Sequence, residues 1–412
     1  MEDLTLASVN SAKDAVMLAI GLIGVMAFFL GLMKVAEKGG ILRVVTRIAH
    51  PVLKRLFPGI PEGHPAMSAM VMNITSNMLG LANAATPFGI KAIMELNRLN
   101  RTKGTATNAM IMFLAINTSG LAFLPSGVIS VRAAAGSADP AGILVTTWFA
   151  SACATVVGIS VAFMLSRLPM YARTEPGMGE PGATEAEPEE VVLEAGPELT
   201  PPRGGILVTW AIVLAFLAAL VLYLVSGTGD GPLSFPDRLS HVFSFWLLPG
   251  LIGGLVLFGW ARGVRVYDCL VEGAKEGWDV AKRIIPYLVA ILVAVGMLRA
   301  SGGIDLLGRA LGGVTAMIGM PAEALPMAVM RPLSGSGALG VMAEILNTHG
   351  PDSFLGYMVS TFQGSTETTF YVLAVYFGAV GIKKTRHALP SCLAADLAGI
   401  LAAVFIVNLL FG

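Results

Sequence analysis

The chain has 412 residues, 55% of them hydrophobic and only 13% charged, with a formal net charge of zero. Soluble domains carry about 25% charged residues, so this composition cannot clothe a water-facing surface of such size. The neutral balance also excludes a nucleic-acid footprint, and the isolated Cys153, Cys269 and Cys392 read as small buried hydrophobes.

Apolar runs near 20 residues, long enough to cross a hydrocarbon core, fall at 15–33, 142–165, 205–225, 242–260, 284–298 and 389–410. The opening MEDLTLASVN lacks the basic segment of a cleaved signal peptide, so helix 15–33 is expected to be retained. Gly39 and Gly40 lead into an amphipathic stretch whose Arg43, Arg47, Lys54 and Arg55 suit the inner membrane surface. Segment 66–95 is expected to dip in as a re-entrant hairpin, with its tip at 77–86 and a bend near Pro87-Phe88-Gly89. Segment 106–131 crosses with an interruption at Asn117-Thr118-Ser119-Gly120, and helix 142–166 returns.

Residues 168–204, rich in Pro, Gly and Glu, bury too little apolar surface to order themselves and are expected to form a flexible acidic linker. Helices 205–225 and 242–260 follow. Then come helix 284–299, a second hairpin at 324–347 with its tip at 332–340, and segment 355–381, broken at Gln363, Ser365, Thr366, Glu367 and Thr368. The last helix ends the chain. The count is eight spans and two hairpins; reading a hairpin as one span, or as two full spans, stays open.

The two halves share an order. Each passes a Gly pair, an amphipathic stretch, a proline (Pro65, Pro326), a Met-rich run, a small polar cluster, a helix with a glutamate (Glu95, Glu344), a second polar break and a closing helix. The domains are therefore 1–167, the linker 168–204, and 205–412 with two helices ahead of its repeat. Ten Lys and Arg lie from Lys34 to Lys103, against three in the equivalent 299–354 (Arg299, Arg309, Arg331). Basic loops mark the cytoplasmic side. The fold class is thus an all-α polytopic membrane protein with an inverted-topology repeat, two re-entrant hairpins and two interrupted helices. The linker is expected to fall on the cytoplasmic side.

Broken helices are tolerated in a membrane only when buried or beside a water-filled cavity, and secondary transporters pair such breaks around a midplane site. Glu367, inside an apolar segment, reads as a proton- or cation-coupling group or as half of a structural ion pair with Arg331. Arg331 either binds an anionic solute or neutralises Glu367. Asn73, Asn77, Asn83 and Asn117 suit interhelical hydrogen bonds, Asp396 is a packing partner or more, and the Met-rich face is packing. The five histidines show no metal-ligand spacing. Ser334 and Ser336 have no evident base, so the chain is not read as an enzyme.

The stretches AEKGGILR, FPGIPEGHPAM, GLANAATPFGIKAIMELN and FLAINTSGLAFLPSGVI resemble the bacterial spore maturation protein A family. RPLSGSGALG, HGPDSF, STFQGSTETTFYVLAVYFGAVGIKK and ADLAG resemble spore maturation protein B. The chain is similar to a fusion of the two, and sporulation is not inferred from that. The resemblance extends to the nucleoside recognition, or gate, domain shared with concentrative nucleoside transporters and the ferrous iron transporter B. It implies a solute site at Asn83, Thr86, Asn117, Thr118, Ser334, Ser336, Gln363, Thr366 and Glu367. The polar breaks themselves add Ser119, Arg331 and Ser365. The expected function is a secondary transporter of a small polar solute, coupled to protons or sodium, with no cofactor or metal beyond that ion. Its expected partners are the solute, membrane lipids and further copies of itself. A scaffold or regulator of envelope or peptidoglycan assembly is the alternative, and a lipid flippase a third.

Overall fold

The structure, a computed structural model, describes residues 2–61, 64–80, 82–177, 201–226, 242, 246–302, 306, 313 and 315–412. Nearly all of it is helical. Helix α1 (Glu2–Lys38) is longer than its apolar stretch and ends at the Gly39–Gly40 turn, which leads into α2 (Ile41–Leu56). Helix α3 (Pro65–Met78) opens with a proline, where the missing N–H has no helical partner to lose. His64 Nδ1 caps it by accepting from Ala66 N at 3.2 Å. Helix α4 (Ala82–Arg98) runs back along α3.

The hairpin reverses at Leu79 and Gly80, within the expected tip 77–86, while the expected bend at Pro87-Phe88-Gly89 lies inside α4. The reversal needs a residue with positive φ. Gly80 supplies it at 72°, while proline is locked near −65°. A Cβ on Gly80 would also stand 2.6 Å from Leu124 O.

The first interrupted span is α5 (Asn108–Thr118) and α6 (Ser126–Ala134). Its break covers 119–125, longer and later than the expected 117–120, because Asn117 and Thr118 still close the helix and Pro125 precedes the next one. The exposed backbone is satisfied from outside: Phe123 N donates to Met78 O at 2.7 Å and Trp148 Nε1 to Phe123 O at 2.8 Å. Helix α7 (Leu144–Ser166) closes this half.

Residues 168–177 depart from the expected flexible linker. The turn Pro169–Ala172 and Glu175 are held by Arg386, which donates to Tyr171 O, Thr174 Oγ1 and Glu175. Polar contacts anchor this segment, while its Leu168 and Met170 stay exposed. Residues 178–200 of that linker lie outside the described residues.

The second half contains α8 (Gly205–Ser226), α9 (Leu247–Ala261), α10 (Val266–Ala300), α11 (Leu325–Leu333), α12 (Gly335–His349) and α13 (Phe354–Ser365). A short helix Thr369–Val372 continues as a π-helical turn Leu373–Phe377 before α14 (Ala388–Phe411). Helix α10 starts well before the expected 284. The charged stretch from Val266 keeps an apolar face whose Leu270 packs on Gly31 of α1. Arg309, Gly303 and the side chains of Arg43, Arg283 and Arg299 lie outside the described residues.

Equivalent elements of the two halves pack in antiparallel pairs. In α7 and α14, Phe149 faces Phe405, Ala154 faces Gly399 and Gly158 faces Ala395. The C-terminal end of α1 meets the N-terminal end of α10, with Lys34 3.6 Å and Lys38 3.9 Å from Glu272. In the interrupted spans, Ala106 N bonds Lys384 O at 3.0 Å, Glu367 N bonds Thr118 O at 2.7 Å, and Arg132 pairs with Asp352 at 2.8 Å. These contacts run from one end of the pair to the other.

Two large hydrophobic cores result among the described residues, beside a small third of Val35, Val264 and Cys269. One joins the α3–α4 hairpin to α5 and to the far half of the second interrupted span, including Tyr376 and Phe377. The other joins the α11–α12 hairpin to α6 and α13. The breaks lie between the two cores.

Three helices among the described residues are long and apolar enough to cross a membrane: Leu144–Ser166, Gly205–Val225 and Ala388–Phe411. Their outer faces are bare hydrocarbon; Leu207 is 76% and Val225 77% exposed. Continuous apolar surface of this kind is stable against lipid rather than water. The protein is a multi-pass membrane protein.

Candidate functional site

Beside the crossing of the breaks lies a cavity of about 810 Å³, within the range of small-molecule sites. All four polar breaks line it: Asn77 and Gly80 from the first hairpin, Gly120, Ala122 and 124–128 from the first break and the start of α6, Arg331 and 333–336 from the second hairpin, and Gln363, Gly364, Thr366, Glu367 and Thr368 from the second break. Phe370 and Tyr371 add an aromatic edge.

The breaks touch where they cross. Gly120 has φ 53°, and a Cβ there would stand 2.9 Å from the carbonyl carbon of Thr366. Glycine is the residue that adopts this conformation with no side chain in the way. The crossing brings the ends of α5 and α13 together and leaves the cavity beside them.

The second hairpin turns at Ser334, which is extended (φ −153°, ψ 113°) and ends α11. Its Oγ accepts from Gly337 N at 3.0 Å and so caps α12. Arg331, 3% exposed, donates from Nη1 to Thr368 Oγ1 at 3.0 Å. Its Nη2 stands 3.9 Å from Glu367 Oε2, and Glu367 is 52% exposed to the cavity. A pair this long and half wet is weakly coupled. The guanidinium therefore presents a positive charge at the wall, with a carboxylate beside it.

The first hairpin meets its neighbours through amides. Asn77 Nδ2 donates to Asn117 Oδ1 at 3.0 Å, and Asn117 Nδ2 to Phe113 O at 2.9 Å. Asn73 Nδ2 donates to Ala85 O at 2.7 Å and to Tyr376 Oη at 3.2 Å. Apart from the Asn117–Phe113 bond within α5, these are interhelical staples.

Of the twelve sequence-predicted site residues, Arg331, Ser334, Ser336, Gln363, Thr366 and Glu367 line the cavity. Asn117, Thr118, Ser119 and Ser365 are buried behind it. Ser119 Oγ donates to Ile116 O at 2.8 Å and Ser365 Oγ to Phe362 O at 3.2 Å, so both hydroxyls serve helix ends. Thr86 lies on α4 and is not in the wall, because the turn falls at Gly80 rather than beyond it. The Asn83 side chain lies outside the described residues. Sequence reasoning placed Asn77 at the first tip and Thr368 in the second break without assigning either to the solute site, and it passed over Ala122 and the 124–128 stretch. Thr368 sits inside the conspicuous STETT run; Ala122 and 124–128 carry almost no polar signal and are found only by their contacts.

Two arginines fasten the ends of the crossed spans. Arg132, fully buried, donates to Asp139 O at 3.0 Å, Ser137 Oγ at 3.2 Å, Pro351 O and Asp352 Oδ1 at 2.8 Å, and covers the Tyr357 ring at 4.4 Å. Arg386 donates to Ala106 O at 3.0 Å and Asn108 Oδ1 at 2.9 Å at the opposite end. Next to it His387, just outside the last span, is pushed down to about 4 by burial and by Arg386.

The model of the Gate family, described as nucleoside recognition, matches residues 19–135 and 281–383. Those segments hold one hairpin and one interrupted span each. Spore maturation protein B of Bacillus subtilis (strain 168) is 49% identical over 175 residues, 42% of this chain and 98% of that protein. Spore maturation protein A of the same strain is 40% identical over 177 residues, 43% of this chain and 88% of that protein. Each covers about half of the chain, as a fusion would. Inner membrane protein YjiG of Escherichia coli (strain K12) is 31% identical over 82 residues, 20% of this chain and 54% of that protein. No solved structure matches.

Proposed function

The chain belongs to the Gate, nucleoside recognition, family, and from that premise we propose that it is a secondary transporter of a small polar solute in the bacterial inner membrane. The solute binds in the cavity between the hairpin tips, and its movement is coupled to protons or sodium. One observation carries this reading: a single cavity of about 810 Å³ is lined from all four breaks in both halves. A wall made of separate hairpins and broken helices can open by relative movement of the two cores, which is the geometry alternating access requires. Arg331 and Glu367 offer an anionic group and a donor group of the solute one partner each.

The reading treats the two halves as inverted across the membrane, as in concentrative nucleoside transporters, with eight spans, two re-entrant hairpins and the linker in the cytoplasm. The antiparallel pairing of α7 with α14 and of the two interrupted spans supports inversion. So does the unequal Lys and Arg content of equivalent loops. The bare apolar face of α8 suits lipid or another copy of the chain. No enzymatic step is assigned to the cavity.

The test is uptake by purified protein in proteoliposomes, across nucleosides, amino acids and small organic anions, under imposed proton and sodium gradients. Uptake of at least one solute, lost in Glu367→Gln, is the expected result. If nothing moves under any gradient, the transport reading fails and the envelope-scaffold reading takes its place.

A further inference from the structure

The cavity wall holds a cation whose hydrogen bonds are mostly unmade. A guanidinium carries five N–H donors. In Arg331, Nη1 donates to Thr368 Oγ1 at 3.0 Å. Nε is buried with no hydrogen-bond partner among the described residues, and Nη2 has only its 3.9 Å approach to Glu367 Oε2. The side chain is almost wholly buried, yet it lines the cavity. A guanidinium so buried is ordinarily held by close bonds to a carboxylate or to several acceptors. Arg132 shows the ordinary case, with carbonyls, a hydroxyl and Asp352 around it.

The helix that follows adds donors to the same corner. Helix α12 starts at Gly335, and the N–H groups of its first turn have no helical carbonyl to bond. The Ser334 hydroxyl takes one of them, from Gly337 N at 3.0 Å. Neither Gly335 N nor Ser336 N finds a carbonyl elsewhere among the described residues, and both residues line the cavity. A Cβ on Gly335 would stand 3.8 Å from Arg331 Nη1 and 2.8 Å from Thr368 Oγ1. The guanidinium and the positive end of a 15-residue helix therefore meet at one place. Together they make a seat for an anion, and the planar fork of arginine suits a carboxylate.

A negative charge stands beside that seat. Glu367 is half-exposed in the wall, and Arg331 is its one ion-pair partner among the described residues. Its backbone is fixed by the bond from Glu367 N to Thr118 O at 2.7 Å. This carboxylate would repel a phosphate drawn to the corner and favours an anion that brings its own cation. A neutral solute would displace water from both charges and return no charge to either, which is costly. An α-amino acid carries its carboxylate and ammonium on one carbon, so the two can meet Arg331 and Glu367 together. Exposed Leu333, Phe370 and Tyr371 give the same wall an apolar rim.

We propose that the solute is an α-amino acid with an apolar side chain. Its carboxylate sits on Arg331 and the start of α12, its ammonium on Glu367, and its side chain against Phe370 and Tyr371. This rests on the reading of the cavity as the solute site of a transporter, and the experiment separates binding from movement.

The test uses the full chain, purified in detergent. The unfolding temperature is followed with each standard amino acid in turn, with uridine and with inorganic phosphate. Titration calorimetry then compares the best ligand with its amide, which lacks the carboxylate, and with its deaminated acid, which lacks the ammonium. At least one apolar amino acid should raise the midpoint. Both analogues should bind at least about tenfold more weakly, the scale of one charged hydrogen bond. Arg331→Gln should erase the preference for the acid over the amide. Glu367→Gln should erase the preference for the amino acid over the deaminated acid. The surface variant Glu323→Gln should keep both preferences, and a residue that only held the fold would weaken every ligand alike. If Arg331→Gln does not fold, Glu367→Gln and the analogue series on the native chain decide. No amino acid bound, binding confined to polar amino acids, uridine or phosphate bound in their place, or analogues as tight as the amino acid would overturn the proposal. An amino acid bound with these preferences but moved under no gradient in proteoliposomes would sink the transport reading and leave the site. Uptake of uridine with no amino acid bound would sink the amino-acid site and leave the transport reading.

Discussion

The first hairpin is fastened by neutral amides, Asn77 to Asn117 and Asn73 to Tyr376, and presents small uncharged groups to the cavity. The second hairpin carries Arg331, bonded to Thr368 and facing Glu367 across 3.9 Å. The two occupy matching places in the chain order and pack into matching cores. Similar helical frames therefore hold different chemistry: the first half shapes the cavity and the second charges it. A neutral hydrogen bond contributes about 0.5–1.5 kcal/mol net and a charged one about 1.5–3. Loss of charge should therefore cost function more than loss of an amide.

The largest expected effect separates stability from function. Arg132→Ala removes a fully buried guanidinium that satisfies several carbonyls and Asp352 at one end of the crossed spans. It should lower stability by about 3–5 kcal/mol, read as a fall in the thermal midpoint in detergent. An unchanged midpoint would show that this end of the crossing is not held as described.

Arg331→Ala should then cut solute uptake about 10- to 100-fold, and Asn77→Ala no more than about tenfold. Equal losses in the two variants would end the distinction between a shaping half and a charging half. Gly120→Ala forces a left-handed residue and a contact at the crossing. It should destabilise by roughly 1–3 kcal/mol, seen again in the thermal midpoint, and a neutral outcome would mean that the breaks do not touch.

The smaller effects lie at the Arg386 end. Glu175→Gln should leave the fold intact and speed protease cleavage within 168–177, because one charged partner of Arg386 is lost. His387 has a folded pKa of about 4, below its ordinary 6.5, so the neutral form is the one the fold favours. Its contribution is fully present above about pH 6.5 and is lost as pH falls toward 4. His387→Asn should flatten that acid-side decline in a pH series of thermal midpoints.

Much of the frame was legible from composition and pattern. Low charge and long apolar runs mark membrane helices, because hydrocarbon admits little else. The repeated order of Gly pair, proline, polar cluster and break marked two hairpins and two broken spans, because backbone that leaves a helix needs small or polar residues to satisfy it. The details followed local rules less well. The first hairpin turned at Gly80, inside the expected tip 77–86, and Pro87 fell within α4, since positive φ and close packing against Leu124 decided the reversal. The first ten linker residues docked because Arg386, more than two hundred residues away, reaches Tyr171 and Glu175.

The sequence by itself determined that this is a two-part membrane protein of broken helices with Arg331 and Glu367 in its second half. Hydrophobicity and local turn chemistry act over a few residues, and both are written in the order of side chains. Only the tertiary structure decided which polar groups face the cavity and which serve as helix caps and staples. That choice depends on how two distant breaks cross, and side-chain order along one strand of the chain carries no record of what the other strand brings to it.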